Sequence, residues 1–197
     1  MFPGINDREL NPEFPMFQWR DELEQLCEFI TRNGVESYLE IGVGTGQMLL
    51  FLRDKVGVRD VYGCDADYPE RFHQEPVNFF HGNHHAKEYL HWREDIGHID
   101  LVFIDANHRH GFRQDFEIER RFPHRYIALH DVSNKGYPDL VAFWEKEVDR
   151  KVALIENRLA DDGFGVPRLR FPYGNWTTED DFIRQHGKKC GIGITDL

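Results

Sequence analysis

Two acids and two histidines of this chain follow two neighbouring predicted strands, where they could do acid–base or metal chemistry. Asp105 ends one apolar run, His108 follows shortly after it, and His130 and Asp131 end the next apolar run. The carboxyl ends of parallel strands lie at the same edge of a sheet, so we expect these four side chains to converge. Carboxylates are the ligands of hard dications, and an imidazole exchanges protons near neutral pH.

A glycine-rich segment, Tyr38–Gly46, lies earlier in the chain. An apolar strand pattern leads into Glu40-x-Gly42-x-Gly44-x-Gly46, and a helical apolar run follows. A strand, a glycine loop and a helix form a nucleotide site at the carboxyl edge of a parallel sheet, because glycine lets the backbone approach a ligand closely. Glu40 is informative, since phosphate-binding loops usually lack a carboxylate, whereas a cofactor with a cationic amino group accepts one.

Two further polar residues extend this predicted cofactor site. Asp65 ends the second predicted strand, where an acid accepts hydrogen bonds from both ribose hydroxyls. Asn83 follows the third strand, where an adenine amino group would lie, and its amide both donates and accepts. A nicotinamide site shares this layout but needs a G-x-G-x-x-G/A pattern, and here Gln47 occupies the last position. Nicotinamide is therefore the less favoured alternative.

The glycine segment resembles motif I of the class I S-adenosylmethionine (SAM)-dependent methyltransferases. The segments Ile99–Glu117 and Tyr126–Val132 resemble a family of small methyltransferases with an I-D-x-x-H-x-[YH] motif after strand four and H-D after strand five. The resemblance spans residues 35 to 135 and implies a Rossmann-like methyltransferase fold that binds SAM. Together with the acid and the amide after strands two and three, the predicted cofactor-binding residues are Glu40, Gly42, Gly44, Gly46, Asp65, Asn83 and Asp105.

Related metal-dependent O-methyltransferases, such as the catechol and macrolide-sugar enzymes, hold Mg²⁺ on an acid after strand four and on two groups after strand five. The resemblance implies that Asp105, His130 and Asp131 bind Mg²⁺ or Mn²⁺. It also implies that His108 takes the place of a lysine general base, so that His108, Asp105 and His130 are the catalytic residues. His130 stands where related enzymes have a carboxylate, and imidazole shifts the preference towards Mn²⁺, Fe²⁺ or Zn²⁺.

Structural roles stay open for some of these residues. Asp105 could cap the following helix, since Asp is a favoured N-cap residue. His130 could be a buried histidine with a satisfied hydrogen bond, or an acid–base residue that needs no metal. His84 and His85 fall in a predicted helix, where adjacent side chains do not share a face, so we do not expect them to form a metal site.

The spacing of apolar residues predicts the strands and helices that position these residues. Alternating strands and helices followed by a terminal hairpin predict an α/β fold with a doubly wound, mostly parallel seven-stranded sheet in a single domain, 1–197. Residues 1–16 are predicted to form an N-terminal arm and 172–197 a C-terminal extension. For the seventh strand, Phe164–Phe171 and Cys190–Thr195 are alternatives. The other predicted strands are Ser37–Ile41, Asp60–Cys64, Val77–His81, Ile99–Ile104, Tyr126–Leu129 and Val152–Ile155, and the predicted helices are Phe17–Thr31, Gly46–Lys55, His84–Glu94, Arg109–Arg121 and Pro138–Asp149.

Composition argues against several classes of partner. A net charge of −11 disfavours a nucleic-acid substrate. The three cysteines are widely spaced and predict neither a disulfide framework nor a zinc pattern. Without a signal peptide or an apolar run long enough to cross a bilayer, the chain is expected to be cytoplasmic and not to bind membranes. Aromatic residues in the terminal segments would support a homodimer.

The sequence thus predicts a SAM-dependent methyltransferase that acts on a small-molecule acceptor. The expected reaction is O-methylation of a hydroxyl, with a metal ion as an optional aid and His108 as the group that removes the proton. The main alternative is a SAM-binding regulatory or partner module without catalysis, and a nicotinamide-dependent oxidoreductase is less favoured. The acceptor itself is not predicted, because methyltransferases of this fold diverge in the half that binds it.

Overall fold

The computed structural model describes residues 18, 20–75, 77–106, 108–156 and 190–196. These residues form a seven-stranded sheet with helices on both faces. In chain order the elements are α1 (Arg20–Asn33), β1 (Ser37–Ile41), α2 (Gln47–Phe51, continued by a π-helical turn at Leu52–Val56), β2 (Asp60–Asp65), a 3₁₀ turn (Glu70–His73), β3 (Asn78–His81), α3 (Lys87–Ile96), β4 (Ile99–Ile104), α4 (Phe112–Glu119), β5 (His124–His130), α5 (Pro138–Lys146), β6 (Lys151–Ile155) and β7 (Ile192–Thr195).

The strand order is β3-β2-β1-β4-β5-β7-β6. Strands β1 to β5 pair in parallel, and β7 runs antiparallel to both β5 and β6. The order reverses between β1 and β4, and ligands of open α/β sheets bind outside the strand ends at such a reversal. The predicted doubly wound, mostly parallel seven-stranded sheet is confirmed.

Strand β4 shows why the sheet needs helices on both faces. Leu101 and Phe103 belong to an apolar layer shared with α1 and α2, while Val102 and Ile104 belong to a second layer shared with α3, α4 and α5. All four side chains are buried, as expected for a central parallel strand that is covered on both sides. The two layers hold β1 and β4 side by side and so fix where their carboxyl ends lie.

Several predicted boundaries differ from the observed ones. Strands β1 and β4 coincide with their predictions, but α3 begins at Lys87 instead of His84 and α4 at Phe112 instead of Arg109, because turns precede both helices. The seventh strand is Ile192–Thr195, within the second of the two predicted alternatives, so the end of the predicted C-terminal extension joins the sheet. The alternative strand Phe164–Phe171 and the arm at 1–16 lie outside the described residues.

The structure also describes the cysteines and the apolar character of the helices. Cys27, Cys64 and Cys190 are buried free thiols. Within the described ranges, no helix combines the length and the apolar character needed to cross a bilayer.

A buried ion pair joins α3 to α4. Arg93 and Glu119 are almost fully buried, and the Arg93 Nε donates a hydrogen bond of 2.9 Å to Glu119 Oε2. The Tyr89 hydroxyl donates to the other carboxylate oxygen at 2.5 Å. Arg93 also donates to the carbonyl groups of Gly97 and Pro123. Both oxygens of this buried carboxylate therefore have donors, and the buried guanidinium has acceptors.

Replacing Arg93 by alanine would leave Glu119 buried without its cation, which typically costs about 3–5 kcal/mol. We expect Arg93→Ala to lower the free energy of unfolding by about that amount, measured by urea denaturation. Arg59→Ala serves as the control, because Arg59 pairs with Glu36 on the exposed surface and such pairs contribute little. Equal losses for the two variants would contradict a stabilising role for the buried pair.

Candidate active site

The loop after β1 carries three glycines with positive φ, at Gly42, Gly44 and Gly46. A Cβ atom at Gly42 would lie 2.5 Å from the carbonyl oxygen of Asp105, which follows β4. A Cβ atom at Gly46 would lie 2.5 Å from the ring of Phe72. Since real Cβ atoms do not approach other atoms so closely, only glycine fits where this loop crosses the end of β4.

Polar groups at the ends of β2 and β3 adjoin the glycine loop. Asp65 Oδ2 accepts a hydrogen bond of 2.9 Å from the Gly44 backbone N–H. The Gly82 backbone N–H donates to the carbonyl oxygen of Asp65 at 2.8 Å, which places Asn83 beside the end of β2. The Asn83 side-chain oxygen accepts from the His85 backbone N–H at 2.9 Å. The strand ends thus bring Asp65 and Asn83 to the same edge as the glycines.

Glu40 lies on β1 just before this loop, with 2% of its surface exposed. Its Oε2 atom is buried and has no hydrogen-bond partner among the residues that the structure describes. Burial raises the pKa of Glu40 well above its ordinary value, and the negative charges of Asp105 and Asp65 act in the same direction. A buried carboxyl of this kind can be neutralised by a cationic group or by a proton.

The carboxyl ends of β4 and β5 bring together two carboxylates and two imidazoles. Asp105 Oδ1 lies 2.8 Å from His130 Nδ1 and 3.0 Å from His108 Nε2. Asp131 Oδ2 lies 3.5 Å from His108 Nε2 and 3.9 Å from His130 Nδ1. One ligand atom from each of the four residues lies within 4.8 Å of all the others. We call Asp105, His108, His130 and Asp131 the strand-end cluster.

Charges within the strand-end cluster stabilise each other. Burial by itself would raise the pKa of Asp105, but the charge of His130 and hydrogen bonds from both histidines hold it well below its ordinary value. Burial would lower the pKa of His130, yet Asp105 and Asp131 raise it to about 10. The pKa of His108 is also raised, because the hydrogen bond to Asp105 and the charges of both acids outweigh burial. Without a cation, the acids and imidazoles of the cluster therefore favour each other's charged forms.

The donor set of the strand-end cluster fits a divalent transition metal. Two carboxylate oxygens and two imidazole nitrogens suit Mn²⁺, Fe²⁺ or Zn²⁺ better than Mg²⁺, which prefers oxygen ligands alone. Metal binding requires neutral imidazoles, so protons and the metal compete for His108 and His130. The two carboxylates can therefore be balanced either by protons on the imidazoles or by a bound metal ion.

The structure bears on the purely structural roles considered for Asp105 and His130. Asp105 does not cap the next helix, because α4 begins at Phe112 with Gly111 at its cap position. His130 is a buried histidine, 6% exposed, whose Nδ1 contacts Asp105. Its Nε2 has no hydrogen-bond partner among the described residues, so the interpretation of a fully satisfied buried histidine does not account for it.

Several neighbours of the cluster were not found from the sequence. The Gln18 amide donates to Asp105 Oδ2 at 3.1 Å, and the Asn134 amide donates to Asp131 Oδ1 at 2.9 Å. The Tyr137 ring lies 5.0 Å from the His108 ring, centroid to centroid, at an angle of 31°. Asp131 has a φ of 63°, an uncommon value for a residue other than glycine. Such strain clusters at functional sites but leaves no mark in a single sequence.

Glu22 on α1 is a further buried acid next to the cluster. Its Oε1 accepts hydrogen bonds from the Cys190 and Gly191 backbone N–H groups, at 3.3 Å and 3.0 Å. Burial raises the pKa of Glu22 to about 7, although the charge of His130 and these hydrogen bonds oppose the rise. The acid thus ties α1 to the segment before β7 and titrates near neutral pH.

Comparisons with known proteins identify the fold. No protein-family model matches the chain, and neither does any curated protein sequence. An O-methyltransferase from Bacillus cereus in complex with S-adenosylhomocysteine (SAH) matches with a TM-score of 0.61 and 15% identity, over 94% of this chain and 85% of that chain. The O-methyltransferase TomG from Streptomyces achromogenes, involved in tomaymycin synthesis and in complex with SAM, matches with a TM-score of 0.55 and 11% identity, over 93% and 81%.

A third similar structure contains a metal. The MycE methyltransferase from the mycinamycin biosynthetic pathway, in complex with Mg, SAH and mycinamycin VI, matches with a TM-score of 0.52 and 18% identity. The match covers 71% of this chain but 40% of the MycE chain. At such identities the likeness concerns the fold, and this chain has the Rossmann-like fold of the class I SAM-dependent methyltransferases.

Replacing Gly42 by alanine should disrupt the cofactor loop through the clash with the Asp105 carbonyl. We expect Gly42→Ala to weaken SAH binding at least about tenfold in a calorimetric titration, a loss of about 1.4 kcal/mol or more. Gly57→Ala is a matched control, because Gly57 has a φ of 87° against 90° for Gly42, and a Cβ there would meet nothing within 4 Å. Both variants force alanine into a left-handed conformation, which costs roughly 1–2 kcal/mol of stability. If Gly57→Ala weakened SAH binding as much, backbone strain rather than the clash would be responsible.

The raised pKa of Glu22 predicts a pH-dependent stability. An acid whose folded pKa is raised contributes stability that is fully present below its unfolded pKa and is lost as pH rises through the folded pKa of about 7. We expect Glu22→Gln, which keeps an acceptor for Cys190 and Gly191, to avoid this loss. In chelator-treated protein, its free energy of unfolding should rise relative to the parent by roughly 3 kcal/mol between about pH 4.5 and pH 8.

Urea unfolding at several pH values measures this difference. Glu28→Gln is the control, because Glu28 is exposed on the same helix and its replacement should leave the pH profile unchanged. A parent and a Glu22→Gln variant with parallel profiles would contradict the assignment of a buried, titrating acid.

Proposed function

We propose that this protein is a SAM-dependent methyltransferase that methylates a hydroxyl oxygen of a small-molecule acceptor, with a divalent metal at the strand-end cluster. The observation that carries this proposal is the contact between Gly42 and the backbone of Asp105. It joins a loop suited to SAM directly to a cluster suited to proton transfer and metal binding. Methyl transfer requires these two sites to be adjacent, since much of the rate comes from positioning the reactants together.

The cofactor would be held by residues around the glycine loop. SAM supplies a methyl group activated by a sulfonium sulfur. Glu40 has a buried oxygen to accept the cationic amino group of the cofactor, and Asp65 lies at the strand end where ribose hydroxyls bind. Asn83 would contact the adenine from the end of β3. Gly42 and Gly44 leave room for the cofactor to lie close to the backbone.

The acceptor hydroxyl would lie beside His108, which would accept the proton of that hydroxyl. The His108 side chain is 17% exposed, so it is reachable from solvent, whereas His130 is nearly enclosed. Asp105 and Asp131 raise the pKa of His108, because their negative charges stabilise its protonated form. A cation held by both carboxylates would reduce that stabilisation and lower the pKa of His108, whose neutral imidazole would then accept the hydroxyl proton.

The metal ligands of this proposal are Asp105, His130 and Asp131. A bound dication supplies Lewis acidity, which acidifies a hydroxyl and holds it close to the methyl donor. MycE was solved with Mg and mycinamycin VI, so a fold of this kind accommodates a metal and a small-molecule acceptor together. In this chain the imidazole of His130 favours Mn²⁺, Fe²⁺ or Zn²⁺ over Mg²⁺.

The test is SAH formation from SAM with a panel of sugar, phenolic and natural-product hydroxyl acceptors, with Mn²⁺, Zn²⁺, Mg²⁺ or a chelator. Turnover that depends on a transition metal and disappears in Asp131→Ala would support the proposal. Full activity of Asp131→Ala on an identified acceptor would contradict the proposed acceptor site. Tight SAH binding without turnover on any acceptor would instead support the alternative of a SAM-binding partner or regulatory module.

His108→Gln should separate chemistry from cofactor binding. On an acceptor identified by the panel, we expect kcat to fall about 10²–10⁴-fold, the usual contribution of a general base, while the Kd for SAH stays the same. His91→Gln is the control, because His91 is exposed on α3, outside the proposed site, and should tolerate the change. A His108→Gln variant with unchanged kcat would remove His108 from the mechanism.

A further inference from the structure

A second group of metal-ligating side chains lies between the β3–α3 loop and α4. His84 Nε2 and His85 Nε2 lie 2.7 Å and 2.5 Å from the same atom, Asp115 Oδ1. The two imidazole rings are 4.3 Å apart, centroid to centroid. A nitrogen of each histidine and a carboxylate oxygen of Asp115 all lie within 4.8 Å of one another. Three ligand atoms from two separate segments therefore converge on one point.

The two hydrogen bonds to Asp115 leave part of this buried carboxylate without a polar partner among the described residues. Asp115 is 1% exposed, and its second oxygen, Oδ2, has no hydrogen-bond partner among the described residues. One turn further along α4, Glu119 is equally buried, but Arg93 balances its charge and both of its oxygens have donors. Within the described ranges, the two imidazoles are the hydrogen-bond partners of the Asp115 side chain, and both lie on Oδ1. An under-coordinated buried carboxylate is costly unless a cation compensates it.

We propose that His84, His85 and Asp115 bind a divalent transition-metal ion, with Zn²⁺ as the best match, at a site separate from the strand-end cluster. Two imidazole nitrogens and one carboxylate oxygen are borderline ligands that favour Zn²⁺ or Co²⁺ over Mg²⁺ or Ca²⁺. Three protein ligands leave one tetrahedral position for water. The side chains of His84 and His85 are 18% and 26% exposed, so solvent reaches the site.

The distances require only a small adjustment on metal binding. Zinc bonds of about 2.0–2.2 Å in a tetrahedron place ligand atoms roughly 3.3 Å apart. The contacts of 2.7 Å and 2.5 Å to Asp115 Oδ1 would therefore open by less than about 1 Å. Both histidines lie in a turn, which tolerates such a movement better than the interior of a helix does.

The local chain conformation makes the site possible. Because α3 begins at Lys87, His84 and His85 precede the helix, and both imidazoles reach α4. The hydrogen bond from the His85 backbone N–H to the Asn83 side chain belongs to the same turn. A metal bound here would fasten the loop that carries Asn83 to the first turn of α4. The proposal does not depend on methyl transfer.

The test is metal stoichiometry in a chain whose strand-end cluster is disabled. In a background with Asp105→Asn, His108→Gln, His130→Gln and Asp131→Asn, we expect one Zn²⁺ per chain after equilibrium dialysis and elemental analysis, and an increase in Tm with Zn²⁺, because a ligand of the folded state stabilises it. Adding His84→Gln and His85→Gln should abolish both the bound zinc and the Tm shift. Asp115→Asn, which preserves shape but not charge, should weaken zinc binding at least tenfold.

Controls exclude binding by unrelated histidines. His91→Gln together with His98→Gln changes two exposed histidines of the same part of the chain and should leave one Zn²⁺ bound. Zinc retained after the His84 and His85 replacements, or no zinc bound in the background variant, would overturn the proposal. If the background variant does not fold, the same comparison in the otherwise unaltered chain should show a loss of one metal equivalent, and an unchanged stoichiometry would overturn it.

Discussion

The close approach of Gly42 to the backbone at Asp105 sets the geometry of the whole edge where ligands would bind. Ile41 pairs with Ile104 in the parallel register of β1 and β4, and the Asp105 backbone N–H donates to the Ile41 carbonyl at 2.8 Å. The chain then turns at Gly42, where no side chain fits. The distance between the glycine loop and the strand-end cluster is therefore fixed by main-chain pairing in the centre of the sheet. Positioning of this kind does not depend on mobile side chains.

Four buried acids of the described residues differ in whether both carboxylate oxygens have partners. Glu119 has Arg93 and Tyr89 as partners and serves to hold helices together. Glu22, Glu40 and Asp115 each keep one buried oxygen without a partner among the described residues. Burial raises the pKa of Glu40 and of Glu22, so a proton can neutralise them where no cation is present. An unpartnered buried oxygen of this kind is one mark of a candidate ligand site.

Much of this arrangement can be predicted from the sequence because it depends on strand ends. Apolar runs define β1 and β4 to the residue, and the parallel order then brings Asp105 next to His130 and Asp131. Gln18 and Glu22 could not be found in this way, since their contacts depend on how α1 packs across the sheet. The seventh strand was undecided for a similar reason. Two segments have suitable patterns, and the pairing of Ile192–Thr195 with β5 and β6 depends on contacts across the sheet that the pattern does not show.

The histidine pair at His84 and His85 shows how one boundary changes a chemical inference. A helix that began at His84 would point the two imidazoles to different faces, and the pair would then have no common ligand. The observed helix begins at Lys87, which leaves both residues in a turn and lets both imidazoles reach Asp115. Helix starts depend on capping and turn contacts, such as the bond between the His85 backbone and Asn83, that outweigh weak local propensities. These turn contacts place both imidazoles beside Asp115, and a proposal about metal binding depends on them.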